Sequence, residues 1–245
     1  MPLAGQRVVV AGGSSGIGLA SAQCLAAAGA ELVLVARSAE RLARAAQSID
    51  HEVMVRSCDL ADAVAAKALF DDLGAFDHLV IAAGGSPAWG AFLDLDPERL
   101  NEAFRAKFWV QFHAARYGVP HLRADGSITF LGGGASRAAL PGTAGLAAVN
   151  GAITAMARTM ARELAPIRVN VLSPGFVDTP AYHAMPADAR AALYQRMARA
   201  ALTGRVGRAE ELAQAVLFLV TNNFTTGAVL DVDGGRRLVS VDDHT

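Results

Sequence analysis

Two kinds of chemistry are written into this chain by residue type and spacing, phosphate binding and proton transfer. The run Ala11-Gly12-Gly13-Ser14-Ser15-Gly16-Ile17-Gly18 follows a β-like stretch and opens a helical one. Small residues there let the backbone come close to a pyrophosphate, and a helix that starts inside such a turn offers unpaired N–H groups and a positive dipole end. A lone glycine pattern carries little information, but between the first strand and first helix of a βαβ unit it has the context that dinucleotide binding requires. After the second strand, roughly twenty residues past the turn, an acidic residue would grip a ribose 2′-hydroxyl. Here Ala36-Arg37-Ser38 stands instead. A guanidinium suits a 2′-phosphate, with Ser14 able to assist, so the expected ligand is NADP(H). Three side chains carry protons of the right kind for catalysis: Lys107, Tyr182 and His183.

These residues need a scaffold, and the apolar pattern supplies one. β-Branched and apolar runs at 7–10, 31–35, 53–56 and 78–82 alternate with helical patterns at 16–28, 39–48 and 61–73. A helix from about Pro97 to Tyr117, a strand at 127–131, a helix at 145–165, a strand at 168–172, a helix at 209–220 and a last strand at 229–232 complete the series. The strands read as continuous apolar runs, as expected when helices cover both faces of a parallel sheet. The predicted fold is α/β, a Rossmann-type doubly wound sheet in one domain over 1–245. The stretch at about 176–203, with Pro180, Pro186 and a short amphipathic piece, reads as a lid over the strand ends, where ligands bind in such folds.

Composition narrows the partners. With 22 Lys+Arg against 23 Asp+Glu the net charge is −1, and no basic or acidic block points to nucleic acid or a membrane surface. A small-molecule partner and a cytoplasmic location are expected, since the start lacks a signal-peptide pattern and no apolar run is long enough for a bilayer. Cys24 and Cys58 lack paired spacing and read as reduced thiols, the six histidines lack ligand spacing for a metal, and His244 reads as a solvated tail residue.

Taken together, the glycine turn, Asp59 after the third strand, Ala83-Gly84 after the fourth, Pro174-Gly175 after the sixth and Val232-Asp233-Gly234-Gly235 near the end resemble the short-chain dehydrogenase/reductase family. Gly204-Arg205-Val206-Gly207-Arg208-Ala209-Glu210-Glu211-Leu212-Ala213 resembles it as well, and the likeness spans nearly the whole chain. It implies that Gly12, Ser14, Ser15, Gly16, Ile17 and Gly18 hold the pyrophosphate, Arg37 and Ser38 the 2′-phosphate, and Asp59 and Leu60 the adenine. Ala83 and Gly84 would line the cofactor, Asn150 could bond its ribose, Lys107 would lie beside the nicotinamide, and Pro174, Gly175, Val177 and Thr179 would approach it. Ala11 replaces a usual threonine, and Ala82-Ala83-Gly84 lacks the family's asparagine.

At the catalytic positions the chain departs from the family. Its members use a Tyr-x-x-x-Lys pair, because residues four apart share a helix face and the lysine lowers the tyrosine pKa. Here those positions hold Leu146 and Asn150, the serine position holds Gly133, and the asparagine position holds Lys107. Leucine cannot donate a proton, and the Asn150 amide can still bond a ribose hydroxyl. Lys107 shares a helical stripe with Leu100, Phe104, Phe108 and Gln111, which points it inward. It can serve as acid or base with a depressed pKa, or fill a cavity as a backbone prop. Tyr182 and His183 could swing over the cofactor or simply shape an apolar pocket. Tyr117, Tyr194 and His113 are expected to be structural.

Two functions remain open: an NADP(H)-dependent oxidoreductase with an unusual proton donor acting on a carbonyl, enone or imine, or a catalytically inactive protein that binds NADP(H) for sensing or structure. The helices at 99–117 and 145–165 are apolar on more than one face. Leu146, Val149, Ile153, Met156 and Met160 form one stripe, and Ala148, Ala152 and Ala155 another. This predicts a homodimer or homotetramer through those helices.

Overall fold

A computed structural model describes residues 1–85 and 88–239; His244 lies outside them. Seven parallel strands form one sheet in the order β3-β2-β1-β4-β5-β6-β9. They are β1 (Arg7–Ala11), β2 (Glu31–Ala36), β3 (Val53–Ser57), β4 (Phe76–Ile81), β5 (Leu122–Leu131), β6 (Arg168–Pro174) and β9 (Val229–Val232). A second, two-stranded parallel sheet pairs β7 (Val177–Asp178) with β8 (Gly207–Arg208). The strand order reverses between β1 and β4, and in an open parallel sheet a crevice forms beyond the strand ends at such a point.

Helices α1 (Gly16–Ala27), α2 (Ala39–Gln47) and α8 (Ala209–Thr221) cover one face; α3 (Ala63–Leu73), α4 (Pro97–Ala103), α5 (Val110–Gly118) and α6 (Ala144–Glu163) cover the other. Because successive strand residues point to opposite faces, Val8 and Val10 enter the first core while Val9 and Ala11 enter the second. That is why the strands show no polar alternation. Helix starts follow local chemistry: Ser38 Oγ accepts from Arg41 N, Asp62 Oδ1 from Val64 N, and Asp96 Oδ1 from Glu98 N, each satisfying an otherwise unpaired first-turn donor.

Three expectations shift in detail. The fourth strand begins at Phe76 and ends at Ile81, two residues earlier and one shorter at its end than the apolar run suggests. The fifth extends back to Leu122, through a register irregularity against β4. The helix expected over 97–117 is interrupted by a wider π-helical turn, Phe104–Trp109, between α4 and α5. Such turns occur mostly as single insertions in α-helices and often at functional sites. Lys107 lies within this one.

Candidate active site

The crevice at the ends of β1 and β4 encloses a cavity of about 910 Å³. Its wall brings together Gly12, Ser14 to Gly18, Arg37, Ser38, Asp59, Leu60, Ala83, Gly84 and Thr179. Gly12 has φ +88°, and a Cβ there would lie 2.5 Å from Ala83 N; a Cβ on Gly18 would overlap the Gly12 carbonyl. The turn therefore packs backbone on backbone. Ser15 precedes α1 without capping it through its side chain, and no acidic residue occupies the first turn. The helix's first N–H groups thus meet the cavity unshielded by an anion, which fits a pyrophosphate.

Arg37 is exposed on the same wall, and one helical turn later Arg41 joins it, its NH2 group donating to Ser15 Oγ at 3.0 Å. Arg41 was not foreseen. Its signal in the sequence was its place in the first turn of α2, four residues after Arg37. Two guanidiniums therefore share this part of the wall. Ser38 faces the cavity but also caps α2. Asp59 Oδ1 accepts from Ala61 N at 3.0 Å, a local turn at the cavity wall, and Leu60 is buried at 4% exposure with its carbonyl bonded to His113 Nδ1. Glu102, Arg105 and Ala106 also line the cavity, brought there by α4 and the wide turn.

Five expected cofactor contacts lie away from that wall, Lys107 among them. Val177 is 5% exposed and packs into the α1/α8 core, because β7 pairs with β8 rather than running toward the crevice. Gly175 abuts Asp233, whose Cα would be 2.6 Å from a Cβ at 175, and Pro174 pairs with Val232. Asn150 is buried on α6.

Of the proton-bearing candidates, only Lys107 meets the altered catalytic positions. Its Nζ donates to Asn150 Oδ1 at 2.6 Å and to Gly132 O at 2.7 Å. Burial pushes its pKa down to about 8. A Cβ at Gly133 would sit 2.7 Å from Asn150 Nδ2. Residues 107, 133 and 150 thus form one fitted unit, and the glycine provides the space that the asparagine amide occupies. Leu146 packs on the core beside α6 residues Val149 and Ile153.

Tyr182 and His183 point elsewhere. The Tyr182 ring lies 4.8 Å from that of Phe176 and 6.1 Å from that of Tyr194, and burial raises its pKa. His183 is exposed, 3.9 Å from Asp178. Tyr194 donates to Asp178 Oδ1 at 2.6 Å, and burial together with that carboxylate pushes its pKa up to about 12. These rings tie α7 (Ala187–Arg199) to β7. Only Thr179, Pro180 and Ala181 of this stretch reach the crevice wall.

The chain belongs to the short-chain dehydrogenase/reductase family: the family model described as enoyl-(acyl carrier protein) reductase matches residues 11–237. Among relatives, it is 31% identical to cis-4-hydroxycyclohexanecarboxylate dehydrogenase of Sinomonas cyclohexanicum, over 94% of this chain and 96% of that one. It is 32% identical to gluconate 5-dehydrogenase of Gluconobacter oxydans (strain 621H), over 95% of each. Among solved structures, a small-chain dehydrogenase in complex with NADPH superposes with a TM-score of 0.82 at 38% identity, covering 96% of this chain and 99% of that one. Lys107 and Asn150 lie within hydrogen-bond distance of each other in this fold. The described residues hold no group of three or more metal-ligating side chains, and none of their helices is long and apolar enough to cross a membrane.

Proposed function

We propose that this protein is an NADP(H)-dependent oxidoreductase of small carbonyl, enone or imine compounds in which Lys107 replaces the missing phenol as proton donor. The observation that carries the reading is the direct bond between Lys107 Nζ and Asn150 Oδ1. It keeps an ammonium and an amide together at the strand ends. Arg37, Arg41 and Ser14 would bind the 2′-phosphate, and the α1 N-terminus the pyrophosphate. The nicotinamide, when bound, supplies or accepts the hydride. In the reductive direction Lys107 gives a proton to the oxygen, nitrogen or carbon that gains electron density, becomes a neutral amine and regains its proton from solvent. Asn150 holds the amine in place through its Oδ1 atom.

An ammonium near pKa 8 is a stronger acid than an ordinary lysine and remains mostly charged at neutral pH, which suits a general acid. The composition supports a titrating role: 20 of the 22 basic residues are arginine, and Lys67 is the sole other lysine. Arginine does not deprotonate in proteins and could not do this work. Relatives named for a hydroxycyclohexanecarboxylate and for gluconate support an alcohol–carbonyl interconversion. The segment at 176–203 acts as a lid whose root, Thr179 to Ala181, borders the crevice. Trp109, 44% exposed on the interrupted helix, together with the exposed Ala148 and Ala155 on α6, supports a dimer or tetramer through these helices.

NADPH binding by fluorescence, followed by its oxidation against carbonyl, enone and imine panels, tests the reading. The expected result is binding with turnover in at least one panel and loss of turnover in Lys107→Met with binding retained. Binding with no turnover in any panel would favour a sensing or structural nucleotide-binding protein instead.

A further inference from the structure

Gln111 lies four residues after Lys107 on the same inward stripe and is fully buried. Its Nε2 donates to Leu131 O at 3.0 Å and to Ala83 O at 3.4 Å. Both partners are acceptors, so the amide is locked with its nitrogen toward them. The Oε1 atom is thereby turned away into the interior, where no described residue donates to it. A buried carbonyl oxygen without a donor is costly and calls for a partner, commonly a trapped water. Lys107 has the complementary surplus: Nζ carries three protons when charged, and Gly132 O and Asn150 Oδ1 take two. The carbonyls that anchor the two side chains, Leu131 and Gly132, belong to consecutive residues at the end of β5.

We propose that Gln111 is the positioning residue of Lys107, joined to it by one trapped water that accepts the third Nζ proton and donates to Gln111 Oε1. The bridge holds the ammonium at the mouth of β5 and sets how firmly it keeps its proton. No bond is made or broken in this role; Gln111 acts only through Lys107. The inference rests on the proposed function solely in taking Lys107 as the proton donor.

Because the chain has two lysines, protein grown with ε-13C lysine gives two side-chain signals, one from Lys67 on exposed α3 and one from Lys107. The test follows both through a pH titration in wild-type protein, Gln111→Met and Gln111→Glu, with Lys67 as internal reference and melting curves recorded alongside. Removing an acceptor from a charged group makes it a stronger acid, so Gln111→Met should raise the Lys107 acid constant at least threefold. A carboxylate stabilises the ammonium, so Gln111→Glu should lower that constant at least tenfold. A Lys107 midpoint unmoved in both variants overturns the proposal, even if the melting temperature falls, since the amide would then only brace β4 and β5. Should Gln111→Met not fold, an unmoved midpoint in Gln111→Glu alone overturns it. The titration needs no substrate, so its outcome is separate from the Lys107→Met turnover test that decides the proposed function.

Discussion

Half-buried Lys107 and buried His78 are two bases at opposite ends of the same sheet, and both are held below their ordinary pKa chiefly by desolvation. At the amino-terminal end of β4, His78 is driven down to about 4, with the Arg168 charge adding to burial. Its Nδ1 pairs with Ser127 Oγ at 2.8 Å and its Nε2 with Gln6 Oε1 at 3.0 Å, so each ring nitrogen has one partner and the neutral ring is satisfied. Beyond the carboxyl-terminal strand ends, Lys107 donates to Asn150 Oδ1 and Gly132 O. Desolvation lowers both bases, so what sets Lys107 apart is its proposed role and its contact with Asn150 rather than the shift itself.

The sharpest way to break this contrast is to remove each base. Lys107→Met should lower kcat by about 10²- to 10⁴-fold, the usual worth of general acid catalysis, with the NADPH dissociation constant changed by no more than about threefold. In the wild-type enzyme the reductive kcat/KM should fall as pH rises through about 8, because the donor must be protonated. A flat profile between pH 7 and 9 would contradict the assignment. His78→Gln should leave turnover unchanged and alter stability instead. Since the folded pKa lies below the unfolded value of 6.5, His78 burdens the fold only under acid. Its full stability is present above pH 6.5 and is lost as pH falls toward about 4, a loss of about 3 kcal/mol for this one group. Urea melts at pH 7 and 4 should show a smaller difference in the variant.

Smaller effects sharpen the picture at the cofactor wall. Gly18→Ala places a methyl group against the Gly12 carbonyl and Ala82. Overpacking of about 1–3 kcal/mol should weaken NADPH binding by about 10- to 100-fold by calorimetry. Arg41→Ala removes one charged contact worth about 1.5–3 kcal/mol, and should weaken NADPH while leaving NADH within about twofold. Equal losses for both nucleotides would argue that Arg41 only steadies Ser15. Smallest of all, Tyr194→Phe deletes the bond to exposed Asp178, about 1 kcal/mol, and should change KM more than kcat.

Much of the fold was legible because a doubly wound sheet is specified by apolar runs and turn glycines close together in sequence. The glycine turn and Arg37 were legible for the same reason: strand, turn and helix follow one another without long-range folding. Local pattern could not show the Lys107–Asn150 bond, which joins residues 43 apart on different helices, or the role of Gly133 in making room for it. The wide turn at 104–109 escaped too, since its hydrogen bonds depend on packing rather than on residue type. The sequence left Tyr182 either swinging over the crevice or shaping an apolar pocket, because a phenol on a surface segment can face either way; here it packs against Phe176 and Tyr194.

Thr179 lies against the first glycine turn: a Cβ at Gly16 would meet its side chain at 3.5 Å. A nucleotide bound against both would fasten residue 179 to residue 16 across most of the chain's length. Saturation with NADPH should accordingly slow trypsin at Arg190, Arg196 and Arg199, turning a backbone proximity into a simple gel assay for occupancy.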